Sequence, residues 1–196
     1  MKSLLAVPLL LAALCAPSRA GAQNEPRYLT QVRAELQAMG YVPQCAAASA
    51  QAGSCRMRAQ SEGDRAATRR FVVVFDYSNV TDTVYVYLER YATLRPDGAD
   101  AAPAMRRLLE MNWEMLVGKF EWSSGTGEVR LGTVLHTDSN FDRRAFRGAV
   151  RALLRLGERY ADEVSRITAS PVGESAATAA PGAPAGQPSI TPIPAR

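Results

Sequence analysis

Two adjacent segments in the middle of the chain decide most of what it can fold into. Residues 71–77 read Phe-Val-Val-Val-Phe-Asp-Tyr, and residues 83–89 read Thr-Val-Tyr-Val-Tyr-Leu-Glu. β-Branched and aromatic side chains favour pleated backbone, and period-two alternation sorts side chains onto opposite faces. Val84, Val86 and Leu88 therefore share one face of the second strand, and Tyr85, Tyr87 and Glu89 the other, with Tyr91 continuing the tyrosine side. The link Ser78-Asn79-Val80-Thr81-Asp82 suits a hairpin loop. Isolated hairpins are marginal in water, so the rest of the chain has to supply an apolar cover.

The flanking sequence supplies it. Leu29, Val32, Leu36 and Met39 recur at helical spacing, with Gly40 placed to end the helix, Asn24 to cap it and Pro26 in its first turn. Cys55 to Ala59 reads as a short strand after irregular residues, and Ser61-Glu62-Gly63-Asp64 as a turn. A second helix starts at the Asp100 cap and runs through Met105, Leu108 and Leu109 to about Asn112. Residues 119–122 and 129–135, separated by a Gly-rich turn, read as a second hairpin. Asp138 or Ser139 would cap a last helix over 141–167. There Phe146, Val150, Leu153, Gly157, Tyr160 and Val164 share one face, with Arg144, Arg147, Arg151 and Arg155 opposite, joined by Glu158. The expected fold is α+β: an antiparallel sheet of two hairpins packed against about three helices.

The two ends read differently. Residues 1–22 have the form of a secretory signal peptide: Lys2, an apolar run over 4–14, then Ala20-Gly21-Ala22 as a small-x-small cleavage site. The run is too short to span a bilayer, which takes about 20 apolar residues. A lipoprotein signal on Cys15 is the rival, with Leu14 where a small residue belongs. Cleavage after Ala22 leaves a short lead at 23–27, a domain over 28–168 and a tail over 169–196. The tail is rich in Ala, Pro, Gly, Ser and Thr and carries too little apolar surface to offset chain entropy, so a disordered tail is expected. No second long apolar run follows, so the expected product is periplasmic or secreted, with no transmembrane segment.

Export changes two further counts. The formal charge is +4 for the whole chain; Lys2 and Arg19 leave with the signal, so the remainder is weakly basic, which is no nucleic-acid footprint. Of the three cysteines, Cys45 and Cys55 remain, and an even pair in an exported chain implies a disulfide.

The residues that would carry catalysis are sparse. His136 is the only histidine, with Asp138 nearby and no nucleophile turn to serve it. One histidine and two disulfide-bonded cysteines do not make a zinc set, and Asp97-Gly98-Ala99-Asp100 is too sparse for a calcium loop. Gly125-Thr126-Gly127 opens no helix and reads as a turn, not a phosphate cradle. Glu110, Glu114 and Glu121 are the carboxylates that an unrecognised enzyme site would use. The expectation is no catalytic residue, no metal and no cofactor. Asn79-Val80-Thr81 is a formal glycosylation sequon.

Two surfaces stand out for binding. Tyr85, Tyr87 and Tyr91, as an outer strand face, suit protein recognition, because tyrosine is large, rigid and amphipathic; a second packed layer is the alternative. Arg144, Arg147, Arg151 and Arg155 form a line suited to an acidic partner, anionic lipid or phosphate; a solvated helix face is the alternative. Met105, Met111, Trp113 and Met115 either line an adaptable groove or belong to the core.

The order of elements resembles the YbjN domain family, similar in fold to type III secretion chaperones. The carrying residues are Leu29 to Tyr41, helix then Gly-Tyr; Leu108-Leu109-Glu110-Met111-Asn112, a helix ending in Asn; Gly118-Lys119-Phe120 followed by Gly127-Glu128-Val129-Arg130-Leu131; and the long helix from Phe141. The resemblance covers about residues 28–167 and rests on packing and turn chemistry. It implies a non-enzymatic, chaperone-like or regulatory module that binds a protein or peptide. Self-association into a homodimer is compatible with such folds. The signal peptide and the cysteine pair depart from a cytosolic regulatory role.

Overall fold

In the computed structural model, residues 25–61, 69–137 and 140–173 are described. The elements run α1 (Leu29–Ala38), β1 (Gln44–Ala47), β2 (Ala52–Gln60), β3 (Arg70–Ser78), β4 (Thr83–Thr93), α2 (Ala101–Glu114), β5 (Lys119–Trp122), β6 (Glu128–His136) and α3 (Arg143–Thr168). The expected export signal, Asn24, most of the Ser61–Asp64 turn, Asp138, Ser139 and the tail beyond Gly173 lie outside the described residues.

The fold is α+β, as the alternating strands require. One six-stranded antiparallel sheet holds all the strands, in the order β1-β2-β3-β4-β6-β5. The two expected hairpins are thus parts of a single sheet, because β6 pairs along β4, Val84 opposite Leu135 and Leu88 opposite Leu131. β1 falls where irregular chain was expected. Its residues have little strand propensity, and the Cys45–Cys55 disulfide, which does form, joins it to β2 at the register pair of the same two residues.

All three helices pack on one face of this sheet. Val73 and Phe75 of β3, Val84, Val86 and Leu88 of β4, and Val129 and Leu131 of β6 are buried there against Phe146, Val150, Leu153 and Leu154 of α3. Phe75 and Phe146 meet with ring centroids 5.7 Å apart. Leu29 of α1 lies over Gly53 of β2, where a Cβ would come within 2.7 Å of it. Burial of this apolar face is what stabilises the sheet, at roughly 25 cal/mol per Å² removed from water.

α3 is the central helix of the layer. Glu35 of α1 takes Arg147 at 2.6 Å and Arg143 at 3.3 Å from one side, and Arg107 of α2 reaches Glu163 at 2.6 Å from the other. The cap of α3 is Asp142, whose carboxylate accepts the N–H groups of Arg144 and Ala145 at 2.8 and 2.9 Å. Asp100 precedes α2 without a side-chain cap. Packing continues past α3: Val172 is buried, and Ser170 Oγ accepts the N–H of Thr93 at 3.3 Å.

Candidate functional site

With every helix on one side, the opposite face of the sheet carries no helix among the described residues. Register fixes its rows: Arg56, Val74, Tyr87, Gly132 and Lys119 lie side by side across five strands, and Ser54, Asp76, Tyr85 and Val134 form the neighbouring row. Glu121 and Arg130 are opposite each other on β5 and β6.

Gly132 organises the centre of this face. A Cβ there would come within 2.9 Å of the Tyr85 ring and hydroxyl and 3.1 Å of Tyr87 Cβ. Its absence lets the Tyr85 ring lie across β6 and donate its hydroxyl to Glu121 on β5. Tyr87 stacks on Tyr85, centroids 4.8 Å apart and planes 25° from parallel. The Arg130 guanidinium sits 4.5 Å above the Tyr87 ring. Stacked rings and a guanidinium over a ring each add attraction beyond area burial, and Tyr87 is consequently only 4% exposed on a helix-free face.

The charges are arranged in the same network. Burial raises the Asp76 carboxyl above its ordinary value, against a hydrogen bond from Tyr87 and the charge of Arg130. Burial and the neighbouring Glu121 raise the Tyr85 hydroxyl, and burial and Asp76 raise that of Tyr87, so both stay protonated donors. Glu128 grips Arg130 through both carboxylate oxygens at 3.0 Å. Burial pushes the Glu128 carboxyl up, but the hydrogen bonds from Arg130 and from the N–H of Arg90 outweigh it and hold the group low.

That last bond explains where Tyr91 goes. Strict alternation puts Tyr91 with Tyr85 and Tyr87, but three residues of β4, Glu89 to Tyr91, stand opposite the single Arg130 of β6. Arg90 adopts φ 47°, held by its N–H donating to Glu128 Oε1 at 2.9 Å. This bulge turns Tyr91 onto the helix-covered side, where it is 1% exposed. Tyr91 is therefore a core residue and leaves the candidate binding face. Bulges re-aim side chains in this way.

The arginine line is also redrawn. Arg147 turns to the buried Glu35, and Glu158, placed on the arginine face by periodicity, is 5% exposed and bound to Arg69 at 2.8 Å. Arg144, Arg151 and Arg155 remain exposed, and the exposed line continues to Arg159 and Arg166. Arg159 follows Arg155 by the four-residue step that links Arg151 to Arg155, and Arg166 follows Arg159 by the seven-residue step that links Arg144 to Arg151, so the spacing held the signal.

The methionine-rich segment divides. Met111 is fully buried, while Leu109, Trp113, Leu116 and Val117 are 66, 92, 95 and 48% exposed. The neighbouring Asn112 faces inward. Its carboxamide accepts the N–H of Phe120 at 2.6 Å and donates to the Phe120 carbonyl at 3.0 Å, standing where a further strand would pair with β5.

The carboxylates weighed for catalysis are kept apart. Glu110 and Glu114 pair with Arg107 on α2, whereas Glu121 is on the opposite face of the sheet with Tyr85. His136 is exposed at the end of β6. Among the described residues no three His, Cys, Asp or Glu side chains gather as a metal site. The sequon residue Asn79 ties three segments together, accepting the N–H of Arg27 at 3.1 Å and donating to the Ala50 carbonyl at 3.2 Å.

Compared with protein-family models and with the curated proteins, the chain finds no match.

Proposed function

We propose that this chain is an exported, non-enzymatic binding domain that engages a protein or peptide partner on the helix-free face of its sheet, around Tyr85 and Val134. The observation that carries the reading is the rigid Tyr85–Tyr87–Arg130–Glu121 network over Gly132. Interface energy concentrates on aromatic and arginine anchors, and groups already locked in place lose little freedom when a partner arrives. Val134, 43% exposed beside Tyr85, offers an apolar contact next to that network.

Export rests on the signal-like residues 1–22 and accords with the Cys45–Cys55 disulfide, which persists in oxidising compartments. The resemblance to the YbjN family and to secretion chaperones adds the expectation of a partner-binding role.

The test is a photo-crosslinking amino acid at Val134, with Gln31 on the exposed side of α1 as control position. A discrete adduct from Val134 and none from Gln31 is the expected result. Identical adduct patterns from both positions, or none from either, would count against the reading.

A further inference from the structure

A second surface, on the opposite side of the molecule, carries a different ligand chemistry. The exposed positions of α3 include Arg144, Arg151, Arg155, Arg159 and Arg166, interrupted by Gly148 and Asp162. At 3.6 residues per turn these fall within an arc of about 80° and extend over about 33 Å of helix. The acids of the helical layer are ion-paired. Asp162 and Glu158 bind Arg69, Glu35 is buried against Arg143 and Arg147, and Glu110, Glu114 and Glu163 surround Arg107. Along the line itself five arginines stand against the single Asp162, so this strip of α3 is net positive.

Beside this line stands the apolar ledge. α2 runs antiparallel to α3: Ala101 and Thr168 line one cleft, Arg107 meets Glu163, and Gly118 lies against Leu156, its Cβ position 3.4 Å from Leu156 Cδ1. The loop after α2 thus abuts the middle of α3, one residue from Arg155. Leu109 and Trp113, one helical turn apart on α2, and Leu116 in that loop project into solvent from the outer side of the helical layer, with Glu110 and Glu114 beside Trp113 drawn onto Arg107.

We propose that this surface docks on an anionic lipid bilayer, with the α3 guanidiniums on lipid phosphates and Trp113 and Leu116 entering the interface. Guanidinium matches phosphate with paired hydrogen bonds. Tryptophan suits the boundary between headgroups and acyl chains. A basic surface and an apolar insertion are each weak alone, and stable attachment takes both signals. The ledge is a projection rather than a groove, which fits a deformable interface better than a folded ligand. No helix of the described residues is long and apolar enough to cross a membrane, so the attachment is peripheral. The tyrosine face lies on the far side of the sheet, so a protein partner and a bilayer can be held together.

The experiment uses residues 23–196 carrying Trp122→Phe, which leaves Trp113 as the only tryptophan, with vesicles of phosphatidylcholine alone or mixed with phosphatidylglycerol. Sedimentation with the mixed vesicles only, weakening as added salt shortens the screening length, is expected, with a blue shift of Trp113 emission on binding. Arg151→Glu with Arg159→Glu should weaken binding by at least about tenfold. Arg144→Glu with Arg151→Glu, a second pair on the same line, should do the same; unchanged thermal melts show that both remain folded. Equal sedimentation with both vesicles, unchanged binding by both charge-reversed variants, or unshifted Trp113 emission would overturn the proposal. So would inorganic polyphosphate binding as tightly as the anionic vesicles without any vesicle-induced shift, the mark of a site for soluble polyanions.

Discussion

The hydroxyl of Tyr91 donates to the backbone carbonyl of Gly157 across 2.6 Å, joining β4 to the middle of α3. The contact depends on the bulge in β4 that turns Tyr91 inward and on the missing side chain at residue 157. A Cβ on Gly157 would come within 2.6 Å of Leu88 Cδ1 and 3.3 Å of Phe71. In an exposed helix, Gly→Ala stabilises by about 1 kcal/mol. Here Gly157→Ala is expected to destabilise by about 1–3 kcal/mol, the range for overpacking a filled core. Tyr91→Phe should cost about 1 kcal/mol, as for one buried hydrogen bond. Chemical denaturation of both variants checks the pair.

Asp76 and Glu128, on the same sheet face, should move stability with pH in opposite directions. The Asp76 carboxyl is raised above its usual 3.8, so the folded state favours its protonated form and stability is lost as pH rises through the folded value. Asp76→Asn keeps an acceptor for Tyr87 and removes the charge. It should raise Tm at neutral pH, with the gain gone below pH 3.8. The Glu128 carboxyl is lowered from its usual 4.5, so its stabilisation is present above that value and lost as pH falls through the folded one. Glu128→Gln should cost about 1–3 kcal/mol at neutral pH, fading in acid. Thermal melts of the three proteins from acid to neutral pH read both signs.

Asn112→Ala removes both hydrogen bonds that cover the outer side of β5. A loss of about 1–3 kcal/mol is expected, together with self-association, since an uncovered sheet edge pairs with other chains. Asn112→Asp keeps the acceptor for the Phe120 N–H but cannot donate to the Phe120 carbonyl, so it should fall between the two. Thermal melts and sedimentation velocity separate the stability effect from the edge effect.

Replacing Cys45 and Cys55 together by Ser should cost about 2–3 kcal/mol, the usual scale for a short closed loop. The loss should concentrate at the edge of the sheet. Amide exchange in β1 is expected to accelerate strongly while β3 and β4, with α3 packed on their inner face, keep their protection. Uniform acceleration across the sheet would mean that the disulfide holds the whole fold.

The central strands were legible because their instructions are local. Alternation at 83–88 assigns faces by itself, and the apolar periodicity of α3 announces which side it buries. Tyr91 departs from the alternation because its direction is set through the N–H of Arg90 by Glu128, 38 residues beyond Arg90 and so outside the local pattern. Arg147 and Glu158 were misplaced for the same reason: Glu35 of α1 and Arg69 draw them out of the helix pattern. β1 has no local signal, since Gln, Cys and Ala favour no strand, and its pairing comes from β2. Within the candidate site, the tyrosines were readable, and Gly132 in a strand interior was a mark of close approach. The acids and arginine that lock the rings come from three other strands and emerge only with the register.

The most direct test of the binding role is the affinity of the partner captured at Val134, measured in titration against wild type, Val134→Glu and Gln31→Glu. A loss of at least about tenfold for Val134→Glu, as expected at the centre of an interface, with Gln31→Glu unchanged, is the predicted result. Equal affinity for all three proteins would contradict it and remove the helix-free sheet face from the account.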